Sequence, residues 1–450
     1  NESTVQVLLF LYDITTKQTH CIFTSQPVVI VSTLMWFKPP AISADGSIVV
    51  FSAPFHSDAG GGKTCLTQAG KLCLNIYTYE VASDRLTLIS QGTSGEPSDG
   101  DSYAPAVSAD GRVITFWSAA SNFFPEQDQN CDLVTQEISC VRGYIYLPDS
   151  GELSVLSLPD LHGYGGLAPM SMSADGSIMA FDTMLLTSDN SPGQYSGALI
   201  DQQTNQVEDI NLSWDGSPGN GNVYGVVIDA SGRYVAFASD SSNLVPDDTN
   251  GFIDIFWRDR QTGEVHLVTR GFSGEQSNAE SGAIIPGLGF TGLSLSPDGD
   301  QIIFVSEASN LVEKPGRCDG DSEGICNGLY VADITTGKVE LVAARLGNRT
   351  LIFPDISGNG QWITYSKLRD DCPSSQYCSN VFRYDRQRGW TENLTTNDSE
   401  MPEYGWIIDR SLSLPPVQTS ILVYSPDGTY LAAANSDALV RVFNVQDSTE

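Results

Sequence analysis

The sequence predicts an all-β protein, a seven-bladed β-propeller of four-stranded antiparallel blades whose last blade is shared by N- and C-terminal strands. Three observations predict it. A short turn motif recurs seven times along the 450 residues, and each copy is flanked by the same succession of short strands. The composition, with 42 Gly and 22 Pro among abundant Ser, Asp and Asn, favours tight turns over long helices.

The turn motif is clearest as SADGSIVVFS at Ser43, SADGRVITFW at Ser108 and SADGSIMAFD at Ser173. Degenerate copies follow at Asp229, Ser296, Ser357 and Ser425. Their shared glycines, Gly46, Gly111, Gly176, Gly232, Gly299, Gly360 and Gly428, are spaced 65, 65, 56, 67, 61 and 68 residues apart. Asp or Asn followed by Gly supplies the positive backbone angles of a tight hairpin. Before each turn stands a short strand such as YAPAVS, and after it an alternating strand. A variable loop leads to an aromatic-rich strand (LNIYTYE, YIYLP, IDIFWRD, GLYVADI, NVFRYD), then a polar turn and a last strand such as EVHLVT. Four strands per repeat at this period is the pattern of propeller blades, each buried only by its neighbours.

These repeats resemble those of TolB-like β-propellers, a WD-repeat-like group whose blades carry SPDG or SADG, then xIxFxS and a later xIYxYDxxTG. The resemblance runs from about residue 37 to 445 and rests on SPDG at Ser296 and Ser425, RQTGEVHLV at Arg260 and ITTGKVELV at Ile334. It implies a propeller outside the cytoplasm. It does not imply one function, because such propellers serve as binding platforms, as partners of hydrolase domains and in toxin uptake.

The ends read differently from the middle. Residues 37–420 hold six full blades of a single 1–450 propeller. Residues 1–36, with LLFLYDITTKQTHCIF, supply a third and fourth strand, and 421–450 supply a first, second and third. Together they complete a last blade with one strand to spare. Closure in cis removes the sheet edge, whereas pairing in trans with a neighbouring molecule would build an assembly or filament.

Charge narrows the partners. Asp and Glu number 55 against 23 Lys and Arg, a formal charge of -32. That field repels nucleic acid and anionic membranes, so neither nucleic-acid binding nor membrane insertion is expected. The apolar stretches VLLFLY and PVVIVSTLMWF fall short of the ~20 residues of a spanning helix. Asn1 follows no basic-then-apolar leader, so the chain reads as a mature form or a fragment. Eight of the nine cysteines form close pairs, Cys65/Cys73, Cys131/Cys140, Cys318/Cys326 and Cys372/Cys378, leaving Cys21. The spacings are not those of zinc sites, and disulfides in an oxidising compartment are expected. The location is therefore extracellular, cell-surface or periplasmic. Sequons at Asn1, Asn211, Asn348, Asn393 and Asn397 are candidate glycosylation sites.

One loop carries a candidate metal site. PDDTNGFIDIF places Asp248, Asn250 and Asp254 at a D-x-N-x-x-x-D spacing suited to calcium, a hard cation that takes six to eight oxygens. Related extracytoplasmic propellers carry a similar PxDxNxxxD loop, and the resemblance implies calcium there. The competing reading is an Asx-turn hairpin in which Asp and Asn bond their own backbone. No cofactor is otherwise required.

No catalytic constellation emerges. There is no GxSxG elbow, and in SADGRVITFW the Asp and Gly are adjacent, unlike a sialidase Asp box. The four histidines, His20, His56, His162 and His266, are scattered over separate repeats. Trp117, Trp257 and Trp362 fall in strand positions that pack between blades. Trp214 and Trp406, in loop contexts, are the candidate ligand contacts. The expected function is a non-enzymatic platform for a protein or glycan on a propeller face. The alternatives are a structural subunit joined through its termini and, lower, a glycan-active hydrolase.

Overall fold

The computed structural model describes residues 4–5, 8–13, 18–24, 28–29, 40–54, 73–124, 141–156, 163–164, 170–186, 192–282, 284–285, 289–290, 292–314, 327–344, 351–368, 379–393, 420–424, 430–435 and 439–444. They form an all-β propeller.

Blade 1 is built from Ala41–Ile42, Ile48–Pro54, Leu74–Glu80 and Arg85–Leu88. Blade 2 uses Ser102–Val107, Ile114–Ser118, Arg142–Leu147 and Glu152–Val155. Blade 3 has Ile178–Leu186, Pro192–Asp201 and Gln206–Asp209, its innermost position shared by Gly163–Tyr164 and Ser171–Met172. Blade 4 comprises Val223–Ile228, Tyr234–Ser239, Asp254–Asp259 and Val265–Leu267. Blade 5 comprises Leu293–Leu295, Gln301–Ser306, Gly328–Asp333 and Lys338–Ala344. Blade 6 comprises Leu351–Ile356, Trp362–Leu368, Ser379–Asp385 and Trp390–Asn393.

The expectation of seven four-stranded antiparallel blades does not hold: the described residues form six. The seventh turn motif, at Ser425, does not found another such blade. Its flanking strands Ser420–Tyr424, Tyr430–Asn435 and Leu439–Asn444 join Leu8–Asp13 and Gln18–Thr24 in one five-stranded sheet of mixed sense. Leu8 and Leu9 pair parallel with Leu439 and Val440. The physical reason is the surplus strand: both chain ends bring their own hairpins, and they meet edge to edge. This sheet lies between blade 6 and blade 1, and Phe23 from its outer strand packs on Phe51 and Tyr77 of blade 1.

The turns form as their residues dictate. Ser43 Oγ donates to Asp45 Oδ1 at 2.7 Å and accepts from the Ile48 amide at 3.0 Å, while Gly46 takes a φ of 69°. In the degenerate copy at Asp229 the roles are exchanged, with the carboxylate accepting from the Ser231 and Tyr234 amides. Backbone bonds join these turns between blades: Ala44 N to Ala109 O, Asp110 N to Ala174 O, Ala174 N to Ala230 O and Ala230 N to Pro297 O. Inside the blades, stacked aromatic pairs sit directly opposite one another on the second and third strands. They are Phe51/Tyr77, Phe116/Tyr144, Phe237/Phe256, Phe304/Tyr330 and Tyr365/Phe382, with ring centroids 5.4 to 5.8 Å apart.

Candidate functional site

Antiparallel alternation within a blade puts the Asp-Gly turns and the third-to-fourth-strand turns at one end of the ring. The second-to-third-strand loops and the connections to the next blade lie at the other end. The Asp248 loop belongs to this second end.

Three connections at that end share one backbone. Gln91–Pro97, Leu212–Pro218 and Arg270–Gln276 each close through an isolated bridge between their first and last residues. In each, the second residue donates its amide to the sixth residue's carbonyl: Gly92 to Glu96, Ser213 to Ser217 and Gly271 to Glu275, at 2.7 to 2.8 Å. The fifth residue is a left-handed glycine, Gly95, Gly216 or Gly274, with φ of 81°, 82° and 90°. An asparagine from the next blade then clasps the connection. Asn122, Asn243 and Asn310 donate to the carbonyls of Pro97, Pro218 and Gln276 and accept from the amides of Asp99, Asn220 and Asn278.

Beneath the clasp lies a small polar cage at the start of the third strand. In blade 4 it is centred on Asp254, fully buried. Its Oδ1 accepts from Thr269 Oγ1 at 2.5 Å and Ser277 Oγ at 2.8 Å, and its Oδ2 accepts from Asn250 Nδ2 at 2.7 Å. In blade 1 the same place is held by Asn75, whose Oδ1 accepts from Ser90 Oγ at 3.1 Å and Ser98 Oγ at 2.8 Å. Its Nδ2 donates to Cys73 O at 3.2 Å.

The three predicted metal ligands are thus brought together, but in the manner of a turn. Asn250 Oδ1 accepts from the Phe252 amide at 3.0 Å, and its Nδ2 donates to Asp254 and to Ser277. The amide nitrogen, not its oxygen, faces the carboxylate. As arranged, the set is a hydrogen-bonded Asx turn and does not fit the six-to-eight-oxygen shell of calcium. Among the described residues no group of three or more His, Cys, Asp and Glu is placed to hold a metal. The carboxylates are nonetheless strained electrostatically. Burial, and then the Asp254 charge, push Asp248 up to about 6, and burial also raises Asp254. Glu280, which accepts from the Ile253 amide at 2.5 Å, is raised by burial as well.

The loop is fixed on both flanks. Leu244 O accepts from the Trp214 amide at 3.0 Å. Gln276 Oε1 accepts from the Thr249 amide and hydroxyl at 3.3 Å, and Gln276 Nε2 donates to Asp247 O. The Leu212–Pro218 turn, the Asp248 loop and the Arg270–Gln276 turn therefore form one continuous surface.

Trp214, predicted as a ligand contact, stands on it 60% exposed. Phe272, which sequence reasoning missed, occupies the equivalent position of the next turn, 64% exposed. The signal was in the repeat: the third residue of the motif is Thr93, then Trp214, then Phe272. Trp406 lies outside the described residues.

The remaining candidates fall as follows. Trp117 packs on Phe181 of blade 3, Trp257 stacks on Tyr234 and donates to Gly299 O of blade 5, and Trp362 lies under the Arg383 guanidinium. All three are buried. His266 is exposed on the fourth strand of blade 4, 3.7 Å from Glu264. His56 and His162 lie outside the described residues, as do Asn1, Asn348 and Asn397, and only the backbone is described for His20 and Cys21. Asn393 ends the last strand of blade 6. Asn211 is 5% exposed and donates its amide to Gly221 O at 3.0 Å, so a glycan there would break the connection it helps hold. Cys73 is buried and disulfide-bonded. The other seven paired cysteines, Cys65, Cys131, Cys140, Cys318, Cys326, Cys372 and Cys378, lie outside the described residues.

No protein-family model matches the chain, and no curated protein does. Among solved structures, the oligogalacturonate lyase of Vibrio parahaemolyticus is similar at a TM-score of 0.53 and 12% identity, over 98% of this chain and 97% of that one. TolB from Acinetobacter baumannii matches at 0.43 and 16%, over 86% and 75%. The β-propeller domain of the Trilobed protease from Pyrococcus furiosus matches at 0.47 and 10%, over 89% of each chain. At such identities the likeness bears on fold alone. The chain is a β-propeller.

Proposed function

We propose that this propeller is a non-enzymatic binding platform working outside the cytoplasm, and that its recognition surface is the end carrying Trp214, the Asp248 loop and Phe272. The observation that carries the reading is the pair of exposed aromatics on a scaffold that does not need them. Thr93 sits exposed at the same position of the same turn, its amide donating to Asn122 O as the Phe272 amide does to Asn310 O. A large apolar side chain held in water by a fixed turn adds little to stability and is well placed for recognition. The close cysteine pairs support an oxidising compartment. The formal charge of -32 disfavours nucleic acid and acidic saccharides as partners.

Arrays of glycans and of peptides, screened with the wild type and with a Trp214→Thr/Phe272→Thr double variant, test this. Ligands bound by the wild type and lost by the variant are expected. Binders indifferent to the double substitution, or turnover in a polysaccharide degradation screen, would overturn the reading.

A further inference from the structure

The chemistry of the partner can be taken further, resting on the platform reading above. Around the two aromatics the exposed charged side chains are acidic but for one: Asp215 stands beside Trp214, Asp240 and Asp247 on the intervening loop and Glu275 beyond Phe272, with Arg270, also exposed, two residues before Phe272. Within residues 211–222, 239–253 and 269–280 the one basic side chain is Arg270. Its charge acts on the buried pair, drawing down Asp248 and Asp254. Asp215 stays ionised to low pH, held at about 2 by the hydroxyls of Ser213 and Ser217. The surface is therefore two exposed aromatics on fixed turns, set in net negative charge.

We propose that this surface docks a cationic protein segment, whose lysine or arginine side chains lie over Trp214 and Phe272 and pair with Asp215, Asp240, Asp247 and Glu275. Three features of the surface favour that occupant. An aromatic face attracts an ammonium or guanidinium by its quadrupole, the more strongly the more the cation is desolvated. Carboxylates on the same turns and loop, Asp215 next to Trp214 in the chain and Glu275 on the turn that carries Phe272, offer a cation charge-assisted hydrogen bonds. The field of the whole chain raises the encounter rate of a basic partner and lowers that of an acidic one. Preorganisation adds to these, because the Trp214 and Phe272 amides are both tied to the neighbouring loops, to Leu244 O and Asn310 O.

The test uses the full chain and calorimetric titration with a heptalysine peptide, at low and at physiological salt. A chain this acidic attracts any polycation, so the discriminating measurement is made at constant charge. The Trp214→Thr/Phe272→Thr variant is expected to bind heptalysine at least tenfold more weakly than wild type. Trp390→Ala, which removes a 47%-exposed tryptophan next to the third-to-fourth-strand turn of blade 6, is expected to bind unchanged. Unfolding midpoints of all variants confirm that they are folded. Equal binding by wild type and double variant would leave only diffuse attraction and overturn the cationic partner. Binding of a neutral chitohexaose that depends on Trp214 and Phe272, with no such dependence for heptalysine, would overturn it too while leaving the platform standing. Loss of aromatic dependence for both probes would remove both readings.

Discussion

In blade 1 the cage under the inter-blade clasp is built round an amide, and in blade 4 round a carboxylate. Asn75 and Asp254 start equivalent strands and take hydroxyl donors from equivalent places, Ser90 and Ser98 in one, Thr269 and Ser277 in the other. What differs is the fourth wall. Asn75 turns its Nδ2 to a carbonyl, Cys73 O, whereas Asp254 turns its second oxygen to a donor, Asn250 Nδ2. The charge of Asp254 is thus matched to Asn250, and its position is dictated by the repeat. The charge of the blade 4 cage goes with the hydrogen-bond sign of its fourth wall, although burial still holds Asp254 above the ordinary carboxylate range.

The largest effect should come from emptying either cage. Asn75→Ala and Asp254→Ala each take the acceptor from two buried hydroxyl donors, Ser90 and Ser98 in one cage, Thr269 and Ser277 in the other. Each is expected to lose about 3 kcal/mol, read in the denaturant midpoint. If one blade tolerates the loss and the other does not, the two cages are not equivalent.

Exchanging the two chemistries should cost somewhat less. Asp254→Asn sets amide against amide at Asn250, and Asn75→Asp sets a carboxylate oxygen against Cys73 O, each costing about 2 kcal/mol. Only the first has a local remedy. Adding Asn250→Asp to Asp254→Asn restores a donor and an acceptor, so the double variant should recover at least half of the loss. Without recovery, the matching of Asp254 to Asn250 is not what sets the charge.

Asp248 tests the electrostatic side of the same loop. Its folded value of about 6 lies above the ordinary carboxylate range of about 4. The folded state therefore holds the proton more tightly than the unfolded chain, and stability is lost as pH rises from about 4 to about 6 and stays lost above that. Asp248→Asn removes the ionisation. It should be about 1 to 2 kcal/mol more stable than wild type at pH 8 and no better at pH 4. The reverse result at pH 8, together with a midpoint lowered by chelator, would mean that a cation neutralises the Asp248/Asp254 pair in solution.

The turns, the strand order and the packing tryptophans were legible in the sequence because each is local. Ser, Asp and Gly at fixed spacing make the turn, alternation makes the strand, and an inward position makes Trp117 or Trp257 core. The count of blades was not legible in the same way. The motif at Ser425 looks like the other six, yet the sheet it enters is decided by Leu8 and Leu9 meeting Leu439 and Val440, residues at opposite ends of the chain. The partial strand sets at the two ends point to their pairing, but its parallel sense, which makes the sheet five-stranded and mixed, leaves no local mark. The site was half legible. Trp214 stood out by its loop, and Asp254 stood out as a ligand while its cage role showed only when set beside Asn75. Phe272 was hidden because a single aromatic in GFSGEQS means little until GTSGEPS shows that threonine suffices.

That last pair gives the smallest effect and the sharpest use of the comparison. Phe272→Thr installs in the blade 4 connection the residue that the blade 1 connection already carries. The Gly271, Phe272 and Gly274 amides keep their acceptors, since all three bonds run through the backbone. The left-handed turn at Gly274 is untouched. An exposed side chain on such a turn contributes within about 0.5 kcal/mol, so the unfolding midpoint should match wild type. Thr93→Phe should be equally silent. If both are silent, the aromatic at position 272 is free of any structural duty, and its retention in water is a matter of what it touches outside the chain. A loss above about 1 kcal/mol for Phe272→Thr alone would show that the ring braces the Asp248 loop, and the aromatic pair would then belong to the fold.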